Sequence, residues 1–462
     1  MVRSGYILAG FETLAGIVDR FIKGERGHFN DNFTRADVAK FLSTTCSGFL
    51  HSYGQNFDKK KKLEKHDINE TRMFHQCIDM EIFEGCDFLV DSGGFQISTG
   101  RFSRERSENL FKMYYEWVKN NHELFAKAFI LDIPPGPGCK IFHNFDDVYK
   151  LNLESYTQAR DLPTVVRDKI VYIHHFRTPK LWDIYTRIMR DNELFPYFNY
   201  HGTGGIVANM ATDMSIPCII YVLPLIPLLN ECKRYNRDFL NFHILGGANW
   251  RDILFYEFFT KIVWDKHKIK LNMTYDSSGP YKQSQMARYI HVKDGTGYVR
   301  KMSLKSDHID KRFYEGERCI DAAQRLVDHV ADTLNFKRIN VGRIYDTETN
   351  TYNEDLKIYL TLFYPILLFS EIQEWLRDYA AQIYPLYING EIEEFHQSCL
   401  HATSVLNQGK ITKKQKIKSF SIARSLDMLT NLDEDYCEYL INKVLAKDEF
   451  VDLDEKKRVL TV

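Results

Sequence analysis

Eight short apolar runs, each ended by a glycine, a histidine, an aspartate or a serine-glycine turn, dominate the first 280 residues of this 462-residue chain. They are Tyr6–Ala9, Phe41–Cys46, Phe88–Val90, Ala128–Leu131, Ile170–Ile173, Phe198–Tyr200, Phe242–Leu245 and Leu271–Tyr275. Longer segments of helical character separate most of them. In 103–120, Leu110, Tyr114 and Trp117, with Phe111, Tyr115 and Val118, repeat at three- and four-residue spacing. Strands alternating with helices pair in parallel, and eight such units predict a closed (β/α)8 barrel of the TIM type. An open doubly wound sheet is the alternative. In either fold the carboxyl ends of the strands carry the site, and the polar and glycine residues that end the runs all fall there.

The most informative of these ends is Cys86-Asp87-Phe88-Leu89-Val90-Asp91-Ser92-Gly93-Gly94-Phe95-Gln96. A buried strand delivers Asp91, and two glycines would let backbone approach a ligand because no Cβ stands in the way. Phe95 offers an aromatic plate beside the acid, a combination suited to a planar heterocycle. The alternative reading of the six residues is a strand, a turn and Asp91 capping the next helix. Asp132 and Asp276 end two further runs, and Gly204-Gly205 follows a third. Two carboxylates at one barrel mouth permit covalent work at an anomeric carbon. A third can accept hydrogen bonds from the amidine-like edge of guanine. His174 stands at the same rim and could donate or accept there.

Composition narrows the setting. Hydrophobic residues make up 44% and charged residues 27%, enough for a large core, and the formal net charge of -1 provides no global attraction for nucleic acid. Binding to a polyanion must then come from local patches. Between residues 266 and 312 lie eleven Lys or Arg against four Asp or Glu, among them Lys282 and Arg288. Further basic runs occupy 59–65 and 410–418; each such run is more often a solvated face than a contact surface. Nine cysteines without any CxxC pair predict reduced thiols in the cytoplasm and no clustered metal site. The amino-terminal apolar stretch is short for a signal peptide, and the apolar stretch 216–229 is broken by prolines, so no membrane association is expected. Beyond about residue 315 the chain reads as helical, with Pro365 marking a kink or break in the apolar stretch 356–379. The expected organisation is a barrel domain over 1–314 and a helical extension over 315–462.

Asp91-Ser92-Gly93-Gly94-Phe95-Gln96 resembles the signature of the tRNA-guanine transglycosylases, which exchange guanine in a polynucleotide for a 7-deazaguanine. Leu131-Asp132, Gly204-Gly205-Ile206, His243-Ile244-Leu245-Gly246-Gly247 and Thr274-Tyr275-Asp276 resemble further family motifs in the family's order. The resemblance covers about residues 5 to 290. It implies Asp276 as nucleophile and Asp91 as general acid/base. It also implies base recognition by Asp132 and the Gly204-Gly205 backbone, with Ser92 at the same site, Phe95 stacked on the base, and His174 where the family usually has glutamine.

Two departures are visible. Ala208, Asn209 and Met210 replace a family glutamate that helps select the base. The family's zinc module is missing, since only Cys319, Cys399 and Cys437 follow Asp276. The chain is therefore more similar to the DNA 7-deazaguanine transglycosylases of bacterial modification clusters and phages, with a phage-type role in evading restriction. That resemblance implies DNA as partner (tRNA being the alternative), a free 7-deazaguanine such as the 7-cyano form as co-substrate, and no cofactor. Lys282 and Arg288 are expected to hold flanking phosphates. A catalytically silent partner subunit and a hydrolase that removes the base without replacing it are the rival readings.

Overall fold

The computed structural model describes residues 5–9, 35–56, 85–94, 97, 104–133, 145–175, 179–204, 219–247, 250–277, 289–293, 299–303, 319–334, 345–346, 351–352, 363–407, 409, 411 and 413–444. Eight parallel strands close into a barrel in sequence order: β1 (Tyr6–Ala9), β2 (Gly48–Ser52), β3 (Asp87–Asp91), β4 (Lys127–Phe129), β5 (Ile170–His175), β6 (Tyr200–Gly204), β7 (Phe239–Ile244) and β8 (Lys270–Ser277). β8 closes on β1 with Ile7 opposite Asp276. The (β/α)8 barrel expected from the sequence is therefore the fold.

Helices cover the barrel: α1 (Arg35–Thr45), α2 (Arg104–Asn120), α3 (Phe145–Arg160), α4 (Pro179–Asp191), α5 (Leu225–Arg234) and α6 (Trp250–His267). A two-stranded antiparallel ribbon of β9 (Tyr289–Lys293) and β10 (Val299–Ser303) follows β8. The helices beyond this ribbon are α7 (Cys319–Leu334), α8 (Tyr364–Ile388), α9 (Ile392–Val405), α10 (Lys413–Asn431) and α11 (Glu434–Val444).

One expected strand is displaced. The run Phe41–Cys46 lies almost wholly in α1, and the second strand is Gly48–Ser52. Val38, Phe41, Leu42 and Thr45 are buried at helical spacing, which overrides the strand preference of the Ser and Thr residues. Those hydroxyls turn back onto the helix, as in Thr45 Oγ1 donating to the Phe41 carbonyl at 2.9 Å. The true strand, Gly-Phe-Leu-His-Ser, has too few apolar residues to stand out.

The helical extension shares the barrel's core. α8 packs against α6 and α1, the ring helices on either side of β8 and β1, and so takes the ring position that follows β8. Tyr6 of β1 meets Phe369 with ring centroids 4.6 Å apart, and Phe41 of α1 meets Phe363 edge-on at 5.3 Å. Gln373 donates to the outward-facing Tyr275 hydroxyl of β8. Pro365 sits in the first turn of α8, where a proline's missing N–H costs nothing, so it starts the helix rather than breaking it. At the far end, Glu434 of α11 accepts from Arg190 of α4 and Asn230 of α5, each at 2.7 Å. Among the described residues no helix is long and apolar enough to cross a membrane.

Candidate active site

Strand alternation decides which side chains reach the barrel interior. His243 of β7 touches Phe129 of β4 at 4.9 Å between ring centroids; the two strands are not neighbours, so both rings point inward. Counting by twos from that level and following the register, Ser52, Asp91, His175, Gly204 and Asp276 face inward at the carboxyl ends of their strands.

Asp91 and Asp276 are close enough to influence each other electrostatically, and Asp132 acts on Asp91 in the same way. Burial raises the Asp91 carboxyl to about 6; a hydrogen bond with the Ser52 side chain works against that rise, the charges of Asp132 and Asp276 add to it, and the Gly93 backbone opposes it. Near neutral pH this group can both give and take a proton. Asp276 is buried, and its Oδ1 accepts the Gly246 N–H at 2.8 Å and lies 3.2 Å from His243 Nε2. Gly246 holds φ at +72°, a conformation that aims its N–H into the mouth and that other residues adopt only with strain.

Asp132 lies just beyond β4, on a segment that side chains from the helices hold in place. Tyr114 donates to the Phe129 carbonyl, the Leu131 N–H donates to the Tyr115 hydroxyl at 3.2 Å, and the Ile133 N–H donates to Asn152 Oδ1 at 2.9 Å. The acid itself is hydrogen-bonded through Oδ2 to His175 Nε2. No sequence motif marked Tyr114, Tyr115, Asn152 or His175 as site residues. The available signal was polar groups on otherwise apolar helix faces, and the second histidine of the His-His pair.

The glycines serve the protein's own packing. A Cβ on Gly94 would overlap the Asp132 carbonyl oxygen, and one on Gly204 would stand 2.7 Å from the His175 ring. Both positions are glycine because a neighbouring part of the site fills the space. Gly93, at φ +95°, supplies the sharp turn after Asp91.

Two expected site residues stand elsewhere. His174 is turned to the opposite face of β5, into the layer between barrel and helices. There its Nε2 lies 3.4 Å from His201 Nδ1 and its ring packs on Tyr172 at 4.6 Å. Burial, with His175 close by, lowers it to about 3, so it stays neutral. A one-residue step along a strand reverses the face, and the histidine in the mouth is His175. Ser92 is fully buried, with its Oγ accepting the Gly94 N–H at 3.4 Å, so it shapes the turn. Phe95, Gly205, Lys282 and Arg288 lie outside the described residues.

Asp91, Asp132, Gly204 and Asp276 are thus brought together, joined by Ser52, His175 and His243. Among the described residues no cluster of His, Cys, Asp and Glu could hold a metal ion. No family model, curated protein or solved structure matches this chain.

Proposed function

We propose that this chain is a base-exchange glycosyltransferase that replaces guanine in DNA with a 7-deazaguanine through a covalent aspartyl-glycosyl intermediate. The observation that carries the reading is that Asp91 and Asp276 both face inward at the carboxyl ends of β3 and β8, with burial raising Asp91 to about 6. Retaining glycosyl chemistry needs two carboxyl groups of unlike protonation at one sugar carbon.

In the first half, an Asp276 oxygen attacks C1' and the bond from C1' to N9 of guanine breaks. The departing base takes the proton of the neutral Asp91 carboxyl. In the second half, the Asp91 carboxylate removes the N9 proton of the incoming 7-deazaguanine. That nitrogen attacks C1', the ester bond breaks, and the Asp276 carboxylate is regenerated. One glycosidic bond replaces another, so the exchange consumes no energy-rich co-substrate. Asp132, anchored by His175, is suited to accept hydrogen bonds from the base edge.

DNA is favoured over tRNA because the downstream cysteines cannot rebuild a zinc module; the basic stretch after the nucleophile would hold the phosphates of either polynucleotide. The target base would be taken from single-stranded DNA or flipped from a duplex. Purified protein incubated with labelled guanine and either DNA or tRNA tests the reading. Label should enter DNA, and a covalent DNA adduct should form that Asp276→Ala abolishes. Label in tRNA alone would replace DNA as substrate, abasic product would indicate hydrolysis, and no adduct with either would indicate a silent subunit.

A further inference from the structure

The two oxygens of Asp276 are not equivalent. Among the described residues Oδ1 receives two hydrogen bonds, from Gly246 N–H at 2.8 Å and from His243 Nε2 at 3.2 Å, while Oδ2 receives none. The His243 ring is held on its other side as well, with Nδ1 2.9 Å from Thr274 Oγ1. A carboxylate only accepts, so Nε2 carries the proton. A neutral ring then has its lone pair at Nδ1, and the Thr274 hydroxyl donates to it. Burial holds this histidine toward its neutral form. The sheet builds the arrangement: His243 and Thr274 are register partners on β7 and β8, and Asp276 is the next residue on Thr274's side of the pleat. Phe129 closes the ring's remaining side.

We infer that Thr274 and His243 form a positioning relay that, with the Gly246 N–H, ties down Oδ1 of Asp276 and leaves Oδ2 as the atom that bonds to C1'. The identity of the electrophile rests on the base-exchange reading; the tie itself does not. The Oδ2 lone pair forms the bond to C1' as the C1'–N9 pair departs with the base, which takes its proton from Asp91. In the ester Oδ1 is the carbonyl oxygen and keeps both donors. When the ester breaks, the same donors meet the charge returning to the carboxylate, with no reorganisation needed. His243 acts through Asp276 and is a positioning residue.

The test uses the full chain and two kinds of measurement. Imidazole ¹⁵N NMR at neutral pH should show His243 as the Nε2–H tautomer, and Thr274→Val should shift its Nδ1 signal. Single-turnover trapping on a guanine-containing single-stranded oligonucleotide should slow about 100-fold in His243→Phe, the scale of a misplaced reacting group. His243→Gln, whose amide N–H replaces the Nε2–H, should stay within roughly fivefold of the parent, and oligonucleotide affinity should change less than about twofold in either variant. An Nδ1–H tautomer, or equal slowing in the Gln and Phe variants, would overturn the relay. If the unaltered protein traps no DNA, the base-exchange reading fails; the tautomer and the Thr274→Val response then decide the relay alone.

Discussion

The backbone of Gly94 lies directly against that of Asp132, so closely that a Cβ at 94 would overlap the Asp132 carbonyl oxygen. The turn that follows one acid is thereby fitted to the segment that carries another. Gly94→Ala should displace Asp132 and destabilise the fold by about 1–3 kcal/mol, the usual cost of overpacking. Urea denaturation measures the loss. A change within error would show that the two segments can separate freely.

Asp91 provides a pH signature with a definite sign. Its carboxyl is raised from 3.8 to about 6, so the folded state binds the proton more tightly than the unfolded chain. Its contribution is favourable at low pH and is lost as pH rises through the window from about 4 to 6. Above that window the buried charge costs on the order of 1–3 kcal/mol. Asp91→Asn should therefore be more stable than the parent at pH 8, and the gain should vanish near pH 4. Denaturation midpoints at both pH values check this; equal differences at the two would refute it. Under the proposed exchange, attack by the incoming base should also slow as pH falls below about 6, because Asp91 must be ionised to take the N9 proton.

Neighbouring histidines on β5 should behave oppositely. His175→Phe loses the hydrogen bond to Asp132, and a bond to a charged group is worth about 1.5–3 kcal/mol, or roughly 10- to 100-fold in binding the base. His174→Gln faces the helix layer and should leave the KM for the base within about twofold. Steady-state exchange kinetics on both variants separate them. A larger KM effect from His174 would contradict the register.

Removal of everything after residue 314 deletes α8 from the ring. Tyr6, Tyr275 and the face of α6 bearing Phe258 would lose Phe369, Gln373 and Tyr384. The truncated chain should show no cooperative thermal transition by circular dichroism. Gln373→Leu is the milder version: it leaves the buried Tyr275 hydroxyl without this partner, at about 1–3 kcal/mol. A sharp melt of the truncated chain would mean that the barrel closes without its last helix.

Alternation of short apolar runs with helical segments pointed to the barrel, and the closure of β8 on β1 excludes the open doubly wound sheet. Seven of the eight expected runs overlap or adjoin their strands; Phe41–Cys46 does not, since a three-and-four repeat and a strand look alike over six residues. Asp91, Asp132 and Asp276 could be named because carboxylates at strand ends are conspicuous in a linear reading. What holds them could not. His175 rather than His174 enters the mouth because side chains alternate along β5, and a run's limits do not reveal its phase. Gly94 and Gly204 are glycines because Asp132 and His175 occupy the space a side chain would need, a fact of contacts between residues dozens of positions apart. The pairing of His243 with Asp276, and the rise in the Asp91 carboxyl, depend on register and burial, which arise only when distant strands close into one sheet.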